Sequence, residues 1–140
     1  TVTGMQYKAA EGFTLAFQNG WDKEAYTNGK IWQVATLRPG KYRLEVTYAY
    51  TMVVSDAGNF ISALMAKGNS ESDIPNVADI EQLNGVCAIY DKAGINDDSG
   101  ILVTPSFEVT ETTDVVIGFL TSLAKGNSYF KVTELKLILE

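Results

Sequence analysis

Alternation of apolar and polar residues constrains this chain more than any other feature. It is clearest between Gly40 and Tyr50, where the residues between the large apolar ones include Arg43, Glu45 and Thr47. Because successive side chains of a β-strand point to opposite faces, the pattern predicts a half-buried antiparallel strand. The residues predicted for its inner face are Tyr42, Leu44, Val46, Tyr48 and Tyr50.

Similar patterns recur along the chain, so the sequence predicts an all-β domain that spans residues 1–140. Pro105 lies inside a predicted strand and favours an edge position or a bulge there. The last strand changes its apolar parity near Thr133 and Glu134, which predicts a β-bulge. The break at Arg38-Pro39-Gly40 fits a turn or a sandwich corner. The predicted strands are 31–37, 40–50, 59–66, 85–90, 101–109, 114–121 and 129–139, with weaker candidates at 2–7 and 13–17.

Two segments do not alternate. Residues 69–84 contain a proline and four acidic residues, and they predict a long loop or a loop with one short helix near 77–83. Residues 19–30 form a second predicted loop, and loops of this length in compact domains are commonly functional. Beyond that loop, Trp32 is predicted to be a core residue, because large aromatic residues in strands are usually buried; if its face points outward it is a platform.

Composition excludes several functional classes. The chain has 140 residues, 11 Lys+Arg and 17 Asp+Glu, for a net charge of −6, and its basic residues are scattered. An acidic chain repels phosphate groups, which argues against nucleic acid and anionic membranes as partners. There is no histidine, which excludes Ser-His-Asp and Cys-His catalysis. No apolar run is long enough to predict a membrane span. The lone Cys87 lies in a predicted buried strand and is expected to act as a small hydrophobic residue.

The segment from Asn28 to Val46 resembles the signature of galactose-binding-domain-like jelly rolls, and residues 107–119 and 127–137 are similar to the final strands of that fold. The likeness extends to domains of uncharacterised function in surface lipoproteins of gut bacteria that use polysaccharides. It implies a jelly-roll β-sandwich of two antiparallel sheets. It also implies a periplasmic or cell-surface location, as part of a longer outer-membrane lipoprotein. The signature positions are Gln33, Leu37, Gly40, Tyr42 and Leu44.

Many members of that family bind sugar, and many hold a structural calcium ion. The resemblance therefore makes Asp97 and Asp98 candidate calcium ligands, although the run 96–100 is equally typical of a plain exposed turn. For sugar, aromatic side chains stack on the ring and polar side chains bond its hydroxyls. Residues of both kinds meet in the loop 19–30, and the candidate ligand-binding residues there are Trp21, Asp22, Tyr26 and Asn28.

The sequence thus predicts a non-catalytic accessory module, with carbohydrate binding ahead of the alternatives. Paired carboxylates are the remaining enzyme chemistry, but no acidic residue lies in an apolar run that would raise its pKa. Trp21 equally fits a plug over the end of the sandwich. The main alternative is a docking or spacer domain within a surface protein complex, using the strand with Pro105, the acidic segment 69–84 or the aliphatic segment 52–54. Lipid binding ranks behind both.

Overall fold

The structure is a computed structural model that describes residues 4–7, 15–19, 25–53, 58–82, 86–90, 95–124 and 128–140. In these ranges the chain forms ten β-strands and two short 3₁₀ helices. They are β1 (Gly4–Tyr7), β2 (Leu15–Asn19), β3 (Tyr26–Leu37), β4 (Gly40–Val53), β5 (Phe60–Lys67), η1 (Glu71–Asp73), η2 (Val77–Gln82), β6 (Val86–Tyr90), β7 (Ile95–Val103), β8 (Phe107–Val109), β9 (Thr113–Leu123) and β10 (Ser128–Leu139).

The strands form two sheets. The large sheet has the order β1-β2-β10-β4-β7, with β8 also paired to β4, and the small sheet has the order β3-β9-β5-β6. The described pairings are all antiparallel. The predicted jelly-roll sandwich of two antiparallel sheets is therefore confirmed.

The break after β3 is a sandwich corner. β3 lies in the small sheet and β4 in the large one, so Arg38 and Pro39 carry the chain from one sheet to the other. The Tyr42 hydroxyl donates a hydrogen bond to the Arg38 carbonyl oxygen at 2.7 Å, which fastens the corner. Along β4, Leu44 and Val46 are buried, while Arg43 and Glu45 pair with each other on the outer face at 3.0 Å. The alternation between Gly40 and Tyr50 therefore gives the correct inner face of β4 over the described side chains.

The main core lies between the two sheets. Tyr48 and Phe130 pack at its centre with their ring centroids 5.0 Å apart, in a tilted arrangement. Burial of large apolar side chains of this kind is the dominant stabilising term in folding. Other buried members are Leu37, Leu44, Val46, Ile61, Met65, Phe107, Val115, Ile117, Phe119, Leu123 and Val132.

A second core lies on the outer face of the small sheet. Residues 68–82, which we call the strap, cross this face and insert Ile74, which is 2% exposed, together with Ile80. They pack on Val116 and Leu120 of β9, so β9 is buried on both faces. The segment predicted as an acidic loop therefore packs, through Ile74 and Ile80, on the outer face of the small sheet. The short helix predicted near 77–83 is present as η2.

Two features of the large sheet confirm sequence predictions. The pairing register of β10 with β4 shifts between Val132 and Glu134, where the β-bulge was predicted. The strand predicted at 101–109 is interrupted around Pro105, and its two parts, β7 and β8, both pair with β4, with β7 at the sheet edge. At the interruption the Leu44 N–H donates to the Thr104 hydroxyl at 2.8 Å, so this backbone donor of β4 keeps a partner.

Two boundaries differ from the prediction. Residues 96–100 are not a turn, because β7 starts at Ile95 and pairs Asp98 with Thr51 and Gly100 with Tyr48. Residues 26–30 are not loop, because β3 starts at Tyr26. In both cases pairing with a neighbouring strand overrides weak local β-propensity. Within the described ranges, no helix is long and apolar enough to cross a membrane.

Candidate functional site

A pocket of about 360 Å³ opens at one end of the small sheet. The start of β3, the start of β5 and the end of β9 meet there, and the beginning of η2 closes one side. The pocket therefore lies where the β3–β9 pair, the β5–β9 pair and the strap meet. Its lining residues are Thr27, Asn28, Gly58, Asn59, Phe60, Val77, Ala78 and Ser122.

Asn28 holds the strap against β3 at this pocket. Its backbone has φ +54°, and it is the one described non-glycine residue with a positive φ. Asparagine tolerates this left-handed conformation better than most residues. Its N–H donates to the Ser122 hydroxyl at 3.0 Å, and its side-chain Oδ1 accepts from the Val77 N–H at 2.8 Å. Because the first N–H groups of a helix have no partner within the helix, Asn28 supplies the cap for η2 from a distant strand.

Tyr26 is not among the residues that line the pocket. Its ring is partly buried and packs against the main core, and its hydroxyl is 3.0 Å from the Thr121 hydroxyl. Burial raises the pKa of Tyr26 to about 12, although the hydrogen bond with Thr121 acts in the opposite direction. A side chain at Gly29 would come within 2.8 Å of the tyrosine ring. The ring is thus held between strand and core, and a ligand role for Tyr26 stays a prediction.

Of the eight lining residues only Asn28 was a predicted site residue, and three of those missed are Asn59, Phe60 and Ser122. Asn59 and Ser122 are buried, and the Asn59 side-chain oxygen accepts a hydrogen bond from the Ala124 N–H at 2.8 Å. Phe60 is partly buried and pairs with Ser122 across β5 and β9. In the sequence Asn59 and Phe60 read as an ordinary strand start, and Ser122 as an ordinary strand end. Only the register between β5 and β9 brings them together, and no local pattern signals that register.

The structure brings only part of the predicted site together. Asn28 lines the pocket, whereas Trp21 and Asp22 lie outside the described residues. Asp97 and Asp98 lie on β7 in the large sheet, so the predicted calcium site belongs to a different sheet from the pocket. Within the part of the chain that the structure describes, no three His, Cys, Asp or Glu residues are grouped so as to hold a metal ion. Calcium binding and the roles of both aspartates therefore stay predictions.

The prediction that Trp32 is a core residue is wrong. Trp32 is 38% exposed, and Val34 on the same face of β3 is 43% exposed. The reason is strand order: β3 is the edge of the small sheet, and the strap residues that cover its outer face pack on β9 and β5. Sequence alternation defines two faces of a strand, but it does not say which strand lies at an edge.

Cys87 behaves as predicted for a lone apolar thiol. It lies on β6, is partly buried and packs against the second core. Burial raises the pKa of its thiol, although a hydrogen bond with Ser62 acts in the opposite direction. A reactive cysteine requires a lowered pKa, so the shift has the wrong sign for a nucleophile.

The antiparallel sandwich is a fold that this chain shares with a solved structure. The fold is shared with TmCBM61, a carbohydrate-binding module solved in complex with β-1,4-galactotriose, with a TM-score of 0.56 and 14% sequence identity. The likeness covers 91% of this chain and 71% of that one. The chain belongs to the family described as Domain of unknown function (DUF5013), which matches residues 2–118. Comparison with curated proteins finds none that matches.

Proposed function

We propose that this chain is a non-catalytic carbohydrate-binding module, and that the pocket between β3, β5, β9 and η2 binds the glycan. The observation that carries the proposal is the composition of the pocket wall. One aromatic side chain, Phe60, stands beside the amides of Asn28 and Asn59 and the hydroxyls of Thr27 and Ser122. The fold that this chain shares with a carbohydrate-binding module supports the same assignment.

The chemistry of the wall suits a sugar. Sugar rings present C–H faces that pack on an aromatic side chain, and their hydroxyls need both donors and acceptors. Amides and hydroxyls provide both. Several of these groups are fixed before any ligand arrives, since Asn28 bonds Ser122 and Val77, and Asn59 bonds Ala124. Fixed groups lose little conformational freedom on binding, which favours affinity.

The size of the pocket favours a short glycan segment. A pocket of about 360 Å³ lies near the lower end of the usual range for small-molecule sites, roughly 300–1,000 Å³. We therefore expect a sugar or two to enter the pocket while the rest of a polysaccharide stays outside. In the proposed role the chain binds glycan next to other domains of a periplasmic or cell-surface lipoprotein. Fractionation of cells that produce the full-length protein tests that location.

Binding to a panel of soluble polysaccharides, including β-1,4-galactan, tests the proposal. We expect Phe60→Leu, which keeps the apolar packing but removes the ring, to weaken binding by roughly 3- to 10-fold. Thr27→Val tests one hydroxyl of the wall, and Ile101→Ala on the large sheet is the matched control. Trp21→Ala and Asp22→Ala test the sequence predictions in the same assay. The proposal fails if the wild-type chain binds no member of the panel.

The same assay tests calcium. If calcium stabilises the region around the pocket, the wild type should bind glycan more tightly with calcium than without it. We expect this difference in affinity to disappear in Asp97→Asn and Asp98→Asn. Equal affinities with and without calcium, and unchanged variants, would show that glycan binding does not depend on calcium held by these two residues.

A docking or spacer domain is the second candidate, and one observation favours it. Ile101 and Val103 on edge strand β7 are 60% and 48% exposed, and both are aliphatic. Exposed aliphatic surface at a sheet edge is typical of protein contacts, whereas sugar sites use aromatic surface. Capture of neighbouring subunits of a surface complex by the wild type, and its loss in Ile101→Lys, would support this candidate. The other predicted aliphatic segment, 52–54, extends beyond the described residues.

A further inference from the structure

Trp32 is 38% exposed on the outer face of β3. Among the described strands, β3 is an edge strand, with a hydrogen-bonded neighbour on one side. On that side the partner of Trp32 across the sheet is Gly118. A side chain at Gly118 would overlap the Ile31 carbonyl oxygen and come within 2.8 Å of the Trp32 Cα. Position 118 therefore excludes any larger residue, and the flank of the indole remains clear.

Polar groups stand at both ends of this apolar surface. The outward residues of β3 in order are Lys30, Trp32, Val34 and Thr36, and Val34 is 43% exposed. At one end Lys30 Nζ donates to the Ile74 carbonyl oxygen at 2.9 Å. At the other end the Thr36 hydroxyl donates to Asp114 Oδ1 at 2.7 Å. An aromatic centre with polar groups on both sides is complementary to a sugar ring with its equatorial hydroxyls.

The surface is separate from the pocket. Asn28 and Trp32 are on the same strand, about 13 Å apart at the usual rise per residue. Between them on the strand lies Lys30, whose Nζ is bonded to the Ile74 carbonyl oxygen of the strap. A ligand in the pocket therefore does not reach Trp32 unless it is longer than the pocket segment.

We infer that Trp32 is the platform of a second glycan-contact surface, formed by the outer face of β3 and used by chains too long for the pocket alone. The inference rests on the proposed function for its ligand class. A protein partner fits less well, because one indole and one valine offer far less than the roughly 800 Å² per partner of a stable protein interface. Two linked contacts raise the affinity for a polymer above that for a short oligosaccharide, since the second contact forms within the complex.

The test compares ligand lengths. Affinities for soluble β-1,4-galactan, for β-1,4-galactotriose and for any panel polysaccharide that the wild type binds are measured in wild type and Trp32 variants. We expect Trp32→Ala to weaken polysaccharide binding roughly 3- to 10-fold and short-oligosaccharide binding less than about 2-fold. Trp32→Phe keeps a ring and should retain most of the polysaccharide affinity, whereas Trp32→Leu should not. Val103→Ala, an exposed aliphatic change on the other sheet, is the matched control.

A fluorescence measurement keeps the test independent of variants that change Trp32. The chain has two tryptophans, so Trp21→Phe leaves Trp32 as the sole indole, and quenching is measured at polysaccharide concentrations at which this variant is shown to bind. We expect polysaccharide to protect this indole from acrylamide quenching. The inference is overturned if the wild type binds polysaccharide, the Trp32 indole is not protected from quenching, and Trp32→Ala keeps the wild-type affinity. That result would leave the pocket proposal standing. No binding to any glycan would overturn both, and protection by raised protein concentration alone would assign the surface to self-association instead.

Discussion

Substitutions at Asn28 separate two contributions to stability that meet at one residue. Asn28 holds a left-handed backbone, φ +54°, and its side chain caps η2 through the Val77 N–H at 2.8 Å. Alanine removes the cap and pays the full steric cost of the left-handed backbone. Glycine removes the cap but has no Cβ, and aspartate retains an acceptor oxygen in the same place. The three variants therefore divide the effect into cap and backbone.

The magnitudes follow from these geometries. Loss of a helix-capping side chain costs about 0.5–2 kcal/mol, and a left-handed backbone costs an ordinary L-residue roughly 1–2 kcal/mol. We expect Asn28→Ala to lower the free energy of unfolding by about 2–3 kcal/mol and Asn28→Gly by about 1 kcal/mol. Asn28→Asp should change it by less than about 0.5 kcal/mol, since aspartate both accepts from Val77 and tolerates the backbone.

Urea unfolding of the four proteins measures these differences. The slope of the free energy against urea should be the same in each, so that the midpoints report stability alone. The hydrogen bond from the Asn28 N–H to Ser122 is common to all four and cancels. Equal losses for alanine and glycine would refute the backbone part of the reasoning. A loss for aspartate as large as that for alanine would refute the cap.

Other predictions concern the core and the strap. The pKa of Tyr26 is about 12 in the folded chain, against about 10 for an unfolded tyrosine, so the folded chain keeps the hydroxyl proton to higher pH. The contribution of Tyr26 to the free energy of unfolding is therefore fully present below pH 10 and is lost as the pH rises from 10 to 12. Denaturant midpoints across that range should fall in the wild type more steeply than in Tyr26→Phe, and parallel curves would contradict this. Gly118→Ala should lower the melting temperature sharply or prevent folding, because its Cβ overlaps the Ile31 carbonyl oxygen; an unchanged melting temperature would refute the close approach. Ile74→Ala should lower the free energy of unfolding by about 2–4 kcal/mol. Pro75 is less buried than Ile74, so Pro75→Ala should lower it by under about 1 kcal/mol. Equal losses in the two variants would show that Ile74 does not anchor the strap.

The sequence predicts those features of the fold that depend on local periodicity. Strand β4, its inner face and the bulge in β10 follow from period-two alternation and its change of parity, which are visible within ten or so residues. The edge position of the Pro105 strand follows from a missing N–H. Burial of β9 on both faces was not predicted, although the continuous apolar run Val115-Val116-Ile117 is typical of a strand covered on both sides.

The remaining features depend on residues distant in the sequence. Trp32 is exposed because of strand order, which alternation does not encode. Residues 95–100 are a strand because β4 pairs with them, although their composition suggests a turn. In the candidate site, Asn28 was predicted as a ligand residue, but its contacts join it to Ser122 and Val77, at separations of 94 and 49 residues. No spacing rule links those positions, so the pocket could be recognised only once the register was known.

The position of β10 has a consequence for how the chain is made. β10 lies between β2 and β4 in the middle of the large sheet. During synthesis, β2 and β4 wait for a neighbour that is made after the other nine described strands, and long-range pairing of this kind folds slowly. A polypeptide that stops before β10 would contain both neighbours of the central strand and no strand between them, with Phe130 and Val132 missing from the core.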